Sequence, residues 1–135
     1  MANPSWEDGR GPAASALTIT VSRPRAGTVV CTAVGEVDLT TAPSLLEQLQ
    51  KATSDGLRHL VVNLSGVTFL SARGVGVLVE TWTAQQDRCA MTLVGNSRPV
   101  TRVLDMLAEL HLTPPFQRYD HISDAAAACN STIER

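Results

Sequence analysis

From His59 to Ser65 the chain runs through a continuous apolar stretch that holds Val61, Val62 and Leu64. A strand with one wet face would alternate apolar and polar residues. A run without alternation is the pattern of a strand buried on both faces, which belongs in a parallel sheet covered by helices. The residues that follow agree. Ser71 stands where a helix N-cap is expected, and Val75, Leu78, Val79 and Trp82 recur at helical spacing, forming a stripe to lay on such a sheet.

The same alternation of strand and helix extends along the chain. Leu17, Ile19 and Val21 alternate with Thr18, Thr20 and Ser22, as in a half-buried strand, and Pro24 and Gly27 mark a turn into a β-branched strand from Thr28 to Val37. Thr40 or Thr41 caps the next helix, which has Pro43 in its first turn, Leu45, Leu46, Leu49 and Ala52 on one face, and Gly56 as its stop. Ala90 to Val94 reads as a short strand. Arg98 to Leu110 reads as a helix with Val100, Val103, Leu104 and Leu107 on one side, ended by Pro114 and Pro115. Phe116 to Tyr119 is expected as an edge strand, and Ser123 or Asp124 as the cap of a last Ala-rich helix reaching about Ser131. The expected fold is a single α/β domain over residues 15–135, with a mixed, mostly parallel sheet of about four to five strands and about four helices joined by right-handed crossovers. Residues 1–14, rich in Pro, Gly and charge, read as a flexible tail dispensable for binding.

Composition narrows the function. With 135 residues and 44% hydrophobic content the chain can bury a core without a metal or disulfide. A net charge of −2 and five aromatic residues leave neither a basic stripe nor a stacking surface for nucleic acid. No apolar run approaches the roughly 18 residues of a membrane span, and the first residues lack a signal-peptide core, so a cytoplasmic protein is expected. Cys31, Cys89 and Cys129 are widely spaced with no C-x-x-C, which points to free thiols rather than a zinc site or disulfide framework. Nucleophile-elbow, P-loop, dinucleotide and zinc-protease motifs are absent, and the acidic pair and lysine of a phospho-accepting receiver are missing. No catalytic residue, metal or cofactor is therefore expected.

Two segments remain: Gly35-Glu36-Val37-Asp38-Leu39-Thr40-Thr41-Ala42-Pro43, and Asn63 through Leu78, which contains Leu64-Ser65-Gly66-Val67-Thr68-Phe69-Leu70-Ser71-Ala72-Arg73-Gly74. Both fall at adjacent strand-to-helix turns, which in a parallel sheet meet at the carboxyl edge, where sites collect. The chain resembles the STAS family of anti-sigma factor antagonists, which carry a G-E-[LIV]-D-x-x-[TS]-A turn and a later D-[LF]-S-x-V-x-F-[ILM]-D-S-[SA]-G-x-x-x-L turn. Val94-Gly95-Asn96 followed by Val100, Arg102, Val103 and Leu104 resembles the family's next unit. The resemblance implies a non-enzymatic binding module. Such a module docks on an anti-sigma factor, commonly a kinase with a GHKL-type ATP site, and so frees a sigma factor until the kinase phosphorylates it. The same resemblance leaves room for a STAS subunit of a lipid-transport ATPase or a stress-sensing complex. An enzyme or anion-binding protein using the Ser71–Gly76 helix start is a further alternative.

By position, the resemblance puts partner binding on Glu36, Asp38, Thr40 and Thr41 and on Ser71, Ala72, Arg73, Gly74, Val75 and Gly76, in a protein that is a monomer or weak homodimer. Three positions depart from the pattern. Asn63 and Ser71 replace aspartates, and Arg73 stands at the phosphoacceptor position, where it cannot form a phosphate ester. Ser71 is the one nearby substitute hydroxyl. Local chemistry offers simpler roles for several of these residues: Ser71 as N-cap, Asp38 binding the Thr40 or Thr41 amides, and Val75, Leu78 and Trp82 as core. A cation at Arg73 faces the positive helix end at a cost of about 0.3–1 kcal/mol, which a partner carboxylate or a bound anion would offset.

Overall fold

The computed structural model describes residues 17–53, 56–114 and 116–133; the expected tail, the outermost domain limits and the Cys129 side chain lie outside them. The elements run β1 (Leu17–Arg25), β2 (Thr28–Val37), α1 (Ala42–Ala52), β3 (His59–Leu70), α2 (Ala72–Gln85), β4 (Ala90–Val94), α3 (Arg98–Glu109), β5 (Gln117–Tyr119) and α4 (Ile122–Ile133). The strands form one sheet in sequential order, β1-β2-β3-β4-β5. β1 pairs with β2 antiparallel, and the remaining neighbours are parallel.

The unbroken apolar run occupies the middle of this sheet. Leu60, Val62 and Leu64 point into the main core beneath α1, α2 and α3, while Val61 packs on the other face with Val94 and the α4 residue Ala125. All four β3 residues are at most 2% exposed, and each such burial contributes about 1.5–3 kcal/mol before entropy is counted. In α2, Val75 and Leu78 are buried as the stripe requires, and Val79 and Trp82 pack partly buried against the core. Val77 is buried too, because α2 also packs against α1.

Four local expectations are corrected. β3 does not end at Ser65; it continues to Leu70 through two irregularities in its pairing with β2, where Thr32↔Asn63 is followed by Val34↔Gly66, and Gly35↔Val67 by Glu36↔Phe69. Each step gives β3 one residue more than β2, which breaks the side-chain alternation that would mark a strand in sequence. Gly56 does not stop α1, whose C-cap is Thr53, the Thr53 N–H donating to Leu49 O at 3.2 Å. Pro114 does not end α3 either, and Pro115 lies outside the described residues. The helix closes at Leu110 with His111 in left-handed conformation (φ 58°). The His111 N–H donates to Ala108 O (3.0 Å) and the Leu112 N–H to Leu107 O (2.9 Å), a Schellman pattern in which histidine holds the usual glycine position. Finally, α4 starts at Ile122, before either expected cap, with the His121 carbonyl accepting from the Asp124 and Ala125 amides.

Candidate functional site

The β2–α1 turn is built around one carboxylate. Asp38 Oδ1 accepts from the Thr40 N–H and the Thr41 N–H, each at 2.9 Å, and lies 3.1 Å from Thr41 Oγ1. The Thr41 amide foremost, helped by the Thr40 amide and opposed by burial, holds the Asp38 carboxyl below its ordinary value of 3.8. Asp38 is therefore ionised at neutral pH. Whatever it adds to the turn is complete above about 3.8 and is lost as pH falls through the lower folded value.

Thr41 occupies the N-cap position of α1 without capping it. Its hydroxyl donates to Glu36 O (2.7 Å) and accepts from the Asp38 N–H (2.9 Å), so the threonine ties the turn back to β2. Helix capping by its side chain is less needed here because Pro43, in the first turn, has no amide to satisfy. Gly35, at φ 121°, supplies the backbone conformation at the pairing irregularity just before this turn.

At the β3–α2 junction the Ser71 hydroxyl accepts from the Gly74 N–H at 3.1 Å, as an N-cap should. The Ser71 N–H donates to Val37 O at 2.9 Å, and this bond joins the two turns across the sheet edge. Gly74 is the other half of the joint. A Cβ at this position would lie 2.6 Å from Val37 Cγ1 and 2.8 Å from Leu70 Cδ1, so only glycine lets α2 start this close to β2. Thr41, Gly74 and Val75 are buried and shape the surface, whereas Glu36, Thr40, Ala72, Arg73 and Gly76 are exposed and form it; Asp38 and Ser71 are half-buried.

Sequence reasoning placed less weight on the apolar members of this edge. Leu39, at the tip of the first turn, is 74% exposed, and Phe69, at the end of β3, is 48% exposed. Phe69 had a motif position as its only signal; its orientation follows from the extra residues in β3. Beside it, the Ser97 hydroxyl donates to Val67 O at 3.1 Å and fixes the start of α3 against the same strand. Arg98 and Arg102 thereby stand at the same edge as Arg73, and all three are exposed.

Among the described residues no three His, Cys, Asp or Glu side chains gather as a metal site, and no helix is long and apolar enough to cross a membrane. The arrangement is a surface that presents backbone-fixed turns, two exposed apolar side chains and cations.

The STAS-domain family model matches residues 20–125. An anti-sigma-B factor antagonist of Staphylococcus aureus is 33% identical over 73 residues, covering 53% of this chain and 68% of the relative. The anti-sigma-F factor antagonist RsfB of Mycobacterium tuberculosis is 36% identical over 69 residues, covering 51% of this chain and 56% of the relative. Among solved structures, an anti-sigma factor antagonist from Mycobacterium paratuberculosis superimposes with a TM-score of 0.72 at 25% identity, covering 87% of this chain and 95% of that one. With the family model matched from β1 into α4, and the two motif turns joined at one sheet edge, the chain belongs to the STAS-domain family.

Proposed function

We propose that this chain is an anti-sigma factor antagonist that works in the cytoplasm by binding and not by catalysis, docking through the Asp38–Thr41 turn and the Ser71–Gly76 helix start. The observation that carries this reading is the 2.9 Å bond from the Ser71 amide to Val37 O, which makes one surface of the two motif turns. The names of the relatives supply the class of partner. The partner in this reading is a kinase-like anti-sigma factor with a GHKL-type ATP site, and its capture frees a sigma factor.

The switch differs from the family pattern. Phosphorylation at the acceptor position adds about −1.5 to −2 charges and a bulky tetrahedral group. Arg73 holds that position with a fixed positive charge and no hydroxyl. The Ser71 hydroxyl, two residues earlier, accepts from the Gly74 amide as the helix cap. The complex is therefore expected to persist in ATP.

The test is incubation of the chain with its purified anti-sigma factor, ATP and Mg²⁺, read by intact mass and by gel filtration of the complex. A stable complex with no mass gain is expected. Stoichiometric gain of one phosphate that disappears in Ser71→Ala overturns the unphosphorylated switch, and absence of any complex overturns the antagonist reading. Arg73→Glu should weaken the complex most at low salt, as a charge contact at an interface rim does.

A further inference from the structure

Beyond the two turns, the same edge continues into a groove. One part, about 310 Å³, lies between the end of β3 and α3 and is lined by Phe69, Leu70, Arg98, Pro99, Arg102 and Val103. A second hollow, about 540 Å³, lies along the exposed side of α3, lined by Arg102, Val103, Asp105, Met106 and Glu109 of that helix alone, and shares Arg102 and Val103 with the first. The floor of the groove is apolar and open: Phe69 is 48% and Met106 53% exposed. Single exposed apolar residues are ordinary; here two of them flank the half-buried Val103 and make a small apolar strip edged by arginines.

The charges around it are placed against local preference. Arg73 and Arg98 both sit in the first turn of a helix, and neither α2 nor α3 has an acidic residue in that turn. The helix macrodipole disfavours a cation there. Neither arginine, nor Arg102 one turn beyond Arg98, has a carboxylate partner among the described residues. The acids nearby do not cancel them. Asp105 is held by Arg118 at 2.8 Å, and Glu109 lies at the far end of the groove. Glu36 stands beside Phe69 in the sheet register at the near end, and Asp38 in the adjoining turn is held by the Thr40 and Thr41 amides.

Resting on the antagonist reading, we propose that this groove receives an acidic amphipathic helix of the anti-sigma factor. Its apolar face covers Phe69, Val103 and Met106, and its carboxylates meet Arg98 and Arg102, with Arg73 continuing the cationic side toward the two turns. The excess of cations at the α3 start and the acid at Glu109 also set direction: the acidic end of the incoming helix lies over Arg98. Charge match of this kind favours the right partner and speeds encounter.

The experiment uses the full chain, the double variant Arg98→Glu/Arg102→Glu, and Met106→Ser. In the first arm, anti-sigma factors of the same genome are purified one at a time and titrated calorimetrically. The double variant is expected to bind at least about tenfold more weakly at about 50 mM salt, with a smaller deficit at about 500 mM. The thermal midpoint of each variant is measured alongside, because an acid at position 98 suits the dipole while Arg102→Glu brings like charges to i,i+4 and i,i+3 spacing with position 98 and Asp105; the single variant Arg98→Glu, free of those pairs, is titrated as the folding control. Met106→Ser should weaken binding at both salts. Affinities within about twofold of the unsubstituted chain for both the double variant and Met106→Ser overturn the groove proposal.

If no anti-sigma factor binds the unsubstituted chain, the antagonist reading fails, and the groove is judged by the second arm. There a synthetic helix of about 18 residues, with Leu on one face and Glu flanking it, is titrated against the ¹⁵N-labelled chain. Amide shifts centred on Phe69 and residues 98–106 that vanish in the double variant support the proposal. No shifts at about 1 mM peptide, or shifts that survive the double variant, overturn it. Two other occupants are read in the same experiment. Deletion of residues 1–16 that raises affinity at least about tenfold assigns the groove to that segment, and self-association abolished by Met106→Ser assigns it to a second copy. Either result overturns the partner-helix proposal.

Discussion

Gly74 and Gly76 lie two residues apart in α2, yet the same substitution should move stability in opposite directions. At Gly74 an added Cβ would sit 2.6 Å from Val37 Cγ1, 2.8 Å from Leu70 Cδ1 and 3.3 Å from Val37 Cβ. Leu70 could turn its terminal methyl, but Val37 is 0% exposed and β-branched, so its rotamer has nowhere to go. The helix start must lift from β2, straining the Ser71–Val37 bond. Overpacking of this kind costs about 1–3 kcal/mol. Ala is a better helix former than Gly by about 1 kcal/mol at most, and less in a first turn. The net expectation for Gly74→Ala is a loss of about 1–2 kcal/mol, or several degrees in thermal midpoint for a domain of this size. At Gly76 nothing lies within 4 Å of the added carbon. Gly76→Ala should therefore gain about 0.4–1 kcal/mol from propensity and a less flexible unfolded chain. Urea unfolding of both variants and the parent, with equal m-values, measures the two differences directly. A Gly74→Ala chain as stable as the parent would refute the argument that this glycine is required by the closeness of α2 to β2.

Ser71→Ala removes the acceptor for the Gly74 amide and should cost about 1 kcal/mol in the same assay, whereas Ser71→Asp, another good N-cap, should largely restore it. Burial foremost, then the charge of Arg58, holds the buried His59 imidazole below its ordinary 6.5, so the unfolded chain takes up a proton that the native chain refuses. Stability present above about 6.5 should therefore decline as pH falls through the folded value, and His59→Gln should flatten that slope in thermal melts. Burial pushes the Cys31 thiol up to about 11 against a small opposing effect of Arg23, and raises Cys89 as well. Neither should react with a disulfide reagent near pH 8 until denaturant is added, as peptide mapping by mass would show, and reductant should leave the melt unchanged. His111→Gly relieves a left-handed non-glycine residue at the α3 terminus and should stabilise by up to about 1 kcal/mol in urea.

The periodic features were legible in the residues themselves. The double-sided strand at Leu60–Leu64, the α2 stripe, the Ser71 cap and the Asp38 turn are each written in neighbouring positions, because helix and strand faces repeat over a few residues and caps act over three. The two motif turns could be read the same way, and with them the expectation of a site at the carboxyl edge. Other features depend on partners far along the chain. β3 runs to Leu70 because β2 accommodates its two extra residues, and no local pattern reveals such pairing. Phe69 faces outward for the same reason, and Gly74 is required by Val37, thirty-seven residues away in sequence and 2.6 Å from where its Cβ would stand. His111 ends α3 in a conformation that sequence statistics assign to glycine, and Thr41 binds back to Glu36 where a cap was expected. Local propensity chose the elements. Packing between them decided which side chains reach the surface at the shared edge, since burial is a property of the assembled sheet and helices and of no single segment.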